Sequence, residues 1–187
     1  DRGSTTYSNN IISIGNNCTS RVIGIFDDGF TNNPCNIYFN TIYIQGTVSG
    51  NNARSIALYS AASGNIRNYR NNILFNARSS DITGQHYAVF YEYATATNLT
   101  VNYNVYLANG SGGILARYAG NNINSLSDLR LALGQDVNSL SVNPGFAIPG
   151  GTIASDYKPS ANNLIGVGIT ETPLDYEGTT RINAPTI

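Results

Sequence analysis

The sequence predicts an all-β solenoid: a right-handed parallel β-helix of about 31–33 residues per coil, with one short α-helix and a C-terminal cap. Three observations carry this. A phrase recurs as Asn9-Asn10-Ile11-Ile12, Asn40-Thr41-Ile42-Tyr43, Asn71-Asn72-Ile73-Leu74 and Tyr103-Asn104-Val105-Tyr106, at spacings of 31, 31 and 32 residues. A second phrase, Ile23-Gly24-Ile25, Ile56-Ala57-Leu58 and Val89-Phe90-Tyr91, recurs every 33. Between them, short runs of alternating apolar residues end in Asn, Gly or Ser, which is strand and turn grammar. Matching of whole units, and not of strand lengths alone, weighs against a β-sandwich.

Taken in order, Tyr7 to Tyr118 reads as coils, within an expected coil region 1–118. The spacing predicts inward columns Ile23/Ile56/Val89/Ile114 and Ile25/Leu58/Tyr91/Ala116. The outward columns are then Gly24/Ala57/Phe90/Leu115 and Phe26/Tyr59/Glu92/Arg117. Asn9, Asn40 and Asn71 fall at corners, where stacked amides can form ladders. After Tyr118 the pattern changes. Ser125-Leu126-Ser127-Asp128 is a helix start, Leu126, Leu129, Ala132 and Leu133 form a stripe, and Gly134 is a stop, predicting a helix over Leu126–Leu133. Residues 119–187 read as this helix plus a loop-rich cap over the last coil. The start of the chain shows no cap, so upstream coils or another domain are expected there. Without an initiator Met or a signal peptide, the chain reads as a mature or excised segment.

Composition narrows the function classes. Only 11% of residues are charged, against about 25% in ordinary globular proteins. The net charge of −1 offers no basic footprint for nucleic acid. No apolar run is long enough to span a membrane. Asn (27) and Gly (19) dominate the polar residues and Lys occurs once, which suits a secreted β-rich protein. Cys18 and Cys35 stand 17 apart beside two candidate strands; a disulfide between them would add about 3 kcal/mol in an oxidising compartment.

The run Asn124 to Phe146, with Gly134-Gln135-Asp136, Asn138-Ser139 and Asn143-Pro144-Gly145-Phe146, resembles the C-terminal segment of secreted right-handed β-helix proteins of Bacteroidota-type bacteria. Leu174-Asp175-Tyr176-Glu177-Gly178 with Arg181, then Ala184-Pro185-Thr186-Ile187, is similar to that family's closing Asp-x-x-Gly-x-x-Arg ending. Tyr157-Lys158-Pro159-Ser160 departs from its Tyr/His-Leu-x-Pro by placing Lys158 at an apolar position. The resemblance covers residues 112–187. It implies a secreted or cell-surface, adhesin-like protein and no defined catalytic activity.

Parallel β-helices also include polysaccharide lyases and hydrolases, and such chemistry would have to rest on particular residues. Asp27 and Asp28, leaving a strand, with Glu92 two rungs away, are the carboxylates a glycosidase would use. The ordinary alternative is a solvated turn, with Glu92 pairing to Arg117. A calcium-dependent lyase needs three converging acids and a base, which the pattern does not supply, so no cofactor is expected outside that alternative. His86, the single His, reads as an exposed loop residue, and no metal site is expected. Phe26, Tyr59 and Phe90 stand outward on adjacent rungs, where rings can stack on sugars. The reading favoured is a non-catalytic extracellular module for adhesion or glycan contact. A pectin-lyase-like enzyme is the alternative, and a purely structural spacer a third.

Overall fold

In a computed structural model the chain is a parallel β-solenoid of about three turns. The residues described are 3–16, 18–50, 53–81, 84–181, 185 and 187. Three parallel sheets form the walls. The first stacks β1 (Thr5–Ser8), β4 (Cys35–Tyr38), β8 (Arg67–Arg70) and β12 (Leu99–Asn102). The second stacks β2 (Ile11–Ile14), β5 (Thr41–Ile44), β9 (Ile73–Asn76) and β13 (Val105–Ala108). The third stacks β3 (Val22–Asp27), β7 (Ser55–Ser60), β11 (His86–Tyr91) and β14 (Gly113–Tyr118), and β15 (Asn121–Ile123) closes it antiparallel. Two short strands, β6 (Thr47–Val48) and β10 (Ser79–Ser80), pair at a corner.

Sequence explains the corners. Register aligns Ile11, Thr41, Ile73 and Val105. The residues just before them are Asn10, Asn40, Asn72 and Asn104, and these build the ladder. Asn40 Oδ1 accepts from the Asn10 amide at 2.8 Å, Asn72 Oδ1 from Asn40 at 3.1 Å, and Asn104 Oδ1 from Asn72 at 3.0 Å. Ser139 ends it by accepting the Asn104 backbone N–H at 2.9 Å. The ladder therefore differs from the expected Asn9/Asn40/Asn71 column. Asn9 and Asn71 occupy the preceding corner position, with φ of 60° and 58°, which Asn tolerates well. In the other coils Phe39 and Tyr103 take that strained position, at 53° and 58°.

The third sheet also corrects the predicted columns. Ile23 pairs with Ile56 and Ile56 with Tyr87, while Ile25, Leu58, Val89 and Ala116 share a row. The spacing from β7 to β11 is thus 31 residues, not 33. Pairing skips Gly24, Ala57, Ala88 and Leu115 in every strand, a stacked bend that turns two successive residues inward. Ala57, Ala88 and Leu115 join the main core, and a Cβ on Gly24 would run into Ile42. Ile23, Ile56, Tyr87 and Ile114, predicted in part as inward, belong to a separate cluster outside the sheet. Strict alternation fails because one residue per coil is spent on the bend.

The helix α1 runs Leu126–Leu133, with Ser125 as N-cap and Gly134 at φ 67°. Leu126, Leu129 and Leu133 enter the same core as the coils. The described residues from 140 onward lie elsewhere. Leu140, Phe146, Tyr157 and Leu164 pack on Tyr43, Ile73, Phe75 and Val105, the outer face of the second sheet. Corner residues hold this segment: Asn71 exchanges hydrogen bonds with the Val167 backbone at 2.8 and 2.9 Å, and Asn9 Nδ2 donates to Leu174 O at 2.9 Å.

Candidate functional site: an aromatic ladder on the open sheet

The third sheet presents Phe26, Tyr59, Phe90 and Arg117 in one outward column, set by the register of β3, β7, β11 and β14. Phe26 and Tyr59 meet edge-to-face at 5.1 Å and 66°, and Tyr59 and Phe90 at 4.9 Å and 65°. Cations flank the column: the Arg21 guanidinium lies 5.1 Å from the Tyr59 ring centre and Arg117 lies 5.3 Å from Phe90. Exposure grades along it. Phe26 is 54% exposed, Tyr59 is half-buried, and Phe90 is 4% exposed beside Tyr87. The rings form a stepped edge-to-face ladder, not a flat plate. Its open platform is at Phe26 and Tyr59.

The candidate carboxylates are not all brought together: Asp27 and Asp28 line one cavity beside β1, and Glu92 is held apart at Tyr59. Asp27 turns to the inner side, 4% exposed. Its carboxylate accepts from the Tyr69 hydroxyl and, at 2.9 Å, from the Gly29 N–H. Ser60 Oγ lies 3.0 Å from the Tyr69 oxygen and accepts from Arg67 at 3.3 Å. Asp28 is exposed, one residue beyond the strand. Glu92 was expected in the Tyr59 column. Since Tyr91 pairs with Ser60 and Ser60 with Asp27, Glu92 falls one residue past the register. It accepts a hydrogen bond from the Tyr59 hydroxyl at 2.5 Å. Burial, then this bond to Glu92, raises the Tyr59 pKa, and Arg21 opposes the rise. The expected Glu92–Arg117 pair does not form, because Tyr59 holds Glu92 and Phe90 holds Arg117.

Three other residues are placed differently from their expected roles. Cys18 and Cys35 are both free thiols. Cys18 is exposed after β2, with its sulfur directed to Ser20 O at 3.7 Å, whereas Cys35 opens β4 inside the core. Burial, with the charge and hydrogen bond of Asp27 added, pushes the Cys35 pKa up to about 12, so it stays a thiol. His86 is fully buried and not in a loop. Its Nδ1 lies 2.9 Å from Ser55 Oγ, and burial with the nearby Arg78 charge lowers its pKa to about 4. No sequence signal separated it from a surface His, since its burial depends on the 31-residue register.

Among the described residues no group of three or more His, Cys, Asp or Glu side chains converges as a metal site. Among the described residues no helix is long and apolar enough to cross a membrane. Fold and site together define a β-solenoid with an open aromatic ladder. Comparison with family models, with curated proteins and with solved structures finds no match.

Proposed function

We propose that the chain is a non-catalytic glycan-contacting module of a secreted or cell-surface protein, with the Phe26–Tyr59 platform as its contact. The exposed, cation-flanked ladder on an otherwise weakly charged sheet is the observation that carries this reading. Aromatic rings held rigidly on a sheet offer apolar area to the C–H faces of sugars at low conformational-entropy cost. Arg21 and Glu92 stand beside them as donor and acceptor for hydroxyl groups. The low charge, the Asn-rich corners and the resemblance of residues 112–187 to secreted β-helix proteins support the extracellular setting. Coils of the same kind, or another domain, are the partner proposed at the first-coil edge.

The separation of Asp27 from Glu92 supports binding over hydrolysis, since a glycosidase pair must flank one bond. The test is a panel of soluble polysaccharides assayed two ways. Retention without release of reducing or unsaturated sugars, with retention lost in Phe26→Ala and Tyr59→Ala, is expected. Sugar release would replace the reading with the polysaccharide lyase or glycoside hydrolase alternative. Absence of retention on every polymer would leave a structural spacer.

A further inference from the structure

The C-terminal segment encloses a cavity of about 400 Å³ against the first two coils. That is the lower part of the range for ligand pockets. The single lysine of the chain, Lys158, and the closing run 175–181 meet there, and the aromatic ladder uses neither. Among the described residues the charged side chains lining it balance, Lys158 and Arg181 against Asp175 and Glu177. Ile182, Asn183, Ala184 and Thr186 complete the run to Ile187 and carry no charged side chain. The lining charges are held in place. The Arg181 guanidinium lies 3.7 Å from the centre of the Phe39 ring. Its Nη1 donates to Leu174 O and, at 3.4 Å, to Thr172 O, and its Nη2 donates to Asn9 Oδ1 at 2.8 Å. Lys158 Nζ donates to Glu177 Oε2 at 3.2 Å. Asp175 Oδ1 accepts the Glu177 and Thr179 N–H groups at 2.9 and 2.8 Å.

We propose that this cavity is a carbohydrate site separate from the ladder, taking one neutral sugar ring. Charge balance selects a neutral ligand. A carboxylate entering beside Arg181 meets Asp175 and Glu177, and an ammonium entering beside Asp175 meets Arg181 and Lys158. Hydrogen-bonding capacity of both kinds selects a polyol. The contacts above engage three of the five Arg181 N–H groups and one of the three on Lys158, and none of them uses Asp175 Oδ2. Thr41 and Thr180 line the cavity too, and a hydroxyl both donates and accepts. Sugar hydroxyls need both roles close together. Ile11, Pro159 and Ile187 supply apolar wall for the C–H groups of the ring. Arg181 is fixed by three oxygens and a ring before any ligand arrives, so little of its ordering cost falls on binding.

The cavity shares no lining residue with the Phe26–Tyr59–Phe90 column, so the site does not rest on the function proposed for that face. The experiment is titration of the intact chain with glucose, galactose and mannose, followed by NMR shifts at residues 157–159 and 175–181. Glucuronate and glucosamine serve as the charged counterparts. Saturable shifts with at least one neutral sugar are expected, at least ~5-fold tighter than with either charged one. Lys158→Gln, at an exposed position, should weaken that sugar ~2- to 5-fold and move the preference towards glucosamine. Asp175→Asn keeps an acceptor for the turn and should move the preference towards glucuronate. Phe26→Ala should change none of this. Circular dichroism checks that each variant is folded. Absence of saturable shifts with all three neutral sugars would overturn the proposal, as would tighter binding of glucuronate or glucosamine by the unaltered chain. Binding lost in Phe26→Ala and kept in Lys158→Gln would assign the sugar to the ladder and overturn this site alone.

Discussion

Two faces of this solenoid carry aromatic ladders of nearly the same geometry and meet different fates. On the second sheet Tyr43 and Phe75 cross at 5.1 Å and 71°; on the third, Phe26 and Tyr59 cross at 5.1 Å and 66°. The first pair is covered by Phe146 and Tyr157 from the C-terminal segment, and Tyr43 and Phe75 fall to 7% and 5% exposure. The second pair stays open, with Phe26 at 54%. Aromatic spacing on a β-helix therefore does not mark a contact face by itself. What marks it is whether the chain returns to cover the rings.

The comparison can be broken by truncating one ring on each face. Phe75→Ala removes a side chain packed on both sides and is expected to destabilise the fold by ~3–5 kcal/mol in denaturant unfolding. Phe26→Ala should change stability by no more than ~0.5 kcal/mol while abolishing ligand retention. A similar stability loss at both positions would show that the open face is also covered.

Next in size is the interior behind the open sheet. His86 has its pKa lowered to about 4 from an ordinary 6.5. A depressed pKa contributes stability that is present above pH 6.5 and lost as pH falls towards 4, as the folded state resists protonation that the unfolded chain accepts. The loss across that window is expected to approach ~3 kcal/mol at one pKa unit per 1.36 kcal/mol. His86→Gln should flatten the pH dependence there, even if it lowers stability overall. An unchanged pH slope in the variant would place the acid lability elsewhere.

The smallest effect concerns how the covered face is closed. The Tyr157 hydroxyl contacts Ser13 Oγ at 2.6 Å and donates to Gly151 O at 2.8 Å, joining the C-terminal segment to the first coil. Tyr157→Phe keeps the ring and loses those bonds, for an expected ~1 kcal/mol. Hydrogen exchange around residues 150–157 should accelerate while the third sheet stays unchanged.

Much of the fold was legible because repeats report directly on stacking. The coils, the helix over Leu126–Leu133 and its caps at Ser125 and Gly134 follow from residue types at fixed offsets. Register was less legible. The Val89-Phe90-Tyr91 phrase looks like Ile56-Ala57-Leu58 but sits two residues off, because corner loops change length between coils. The bend at Gly24, Ala57, Ala88 and Leu115 was hidden for a related reason: strict alternation reads Gly24, Ala57 and Leu115 as outward when they are inward and tightly packed. The sequence reads Phe26, Tyr59 and Phe90 as outward on adjacent rungs, yet in the predicted columns the same two-residue slip puts Phe90 with Gly24 and Ala57, and Glu92 in its place beside Tyr59. The disulfide expectation failed since sequence separation says nothing about which side of a wall each thiol faces.

The uncovered ladder is the contact face proposed for this solenoid. Its most direct test is retention of the intact chain on a polysaccharide panel beside the double variant Phe26→Ala/Tyr59→Ala. Binding by the first, with at least ~10-fold weaker binding by the second while circular dichroism shows it still folded, is the result predicted. Equal retention of both proteins would contradict it.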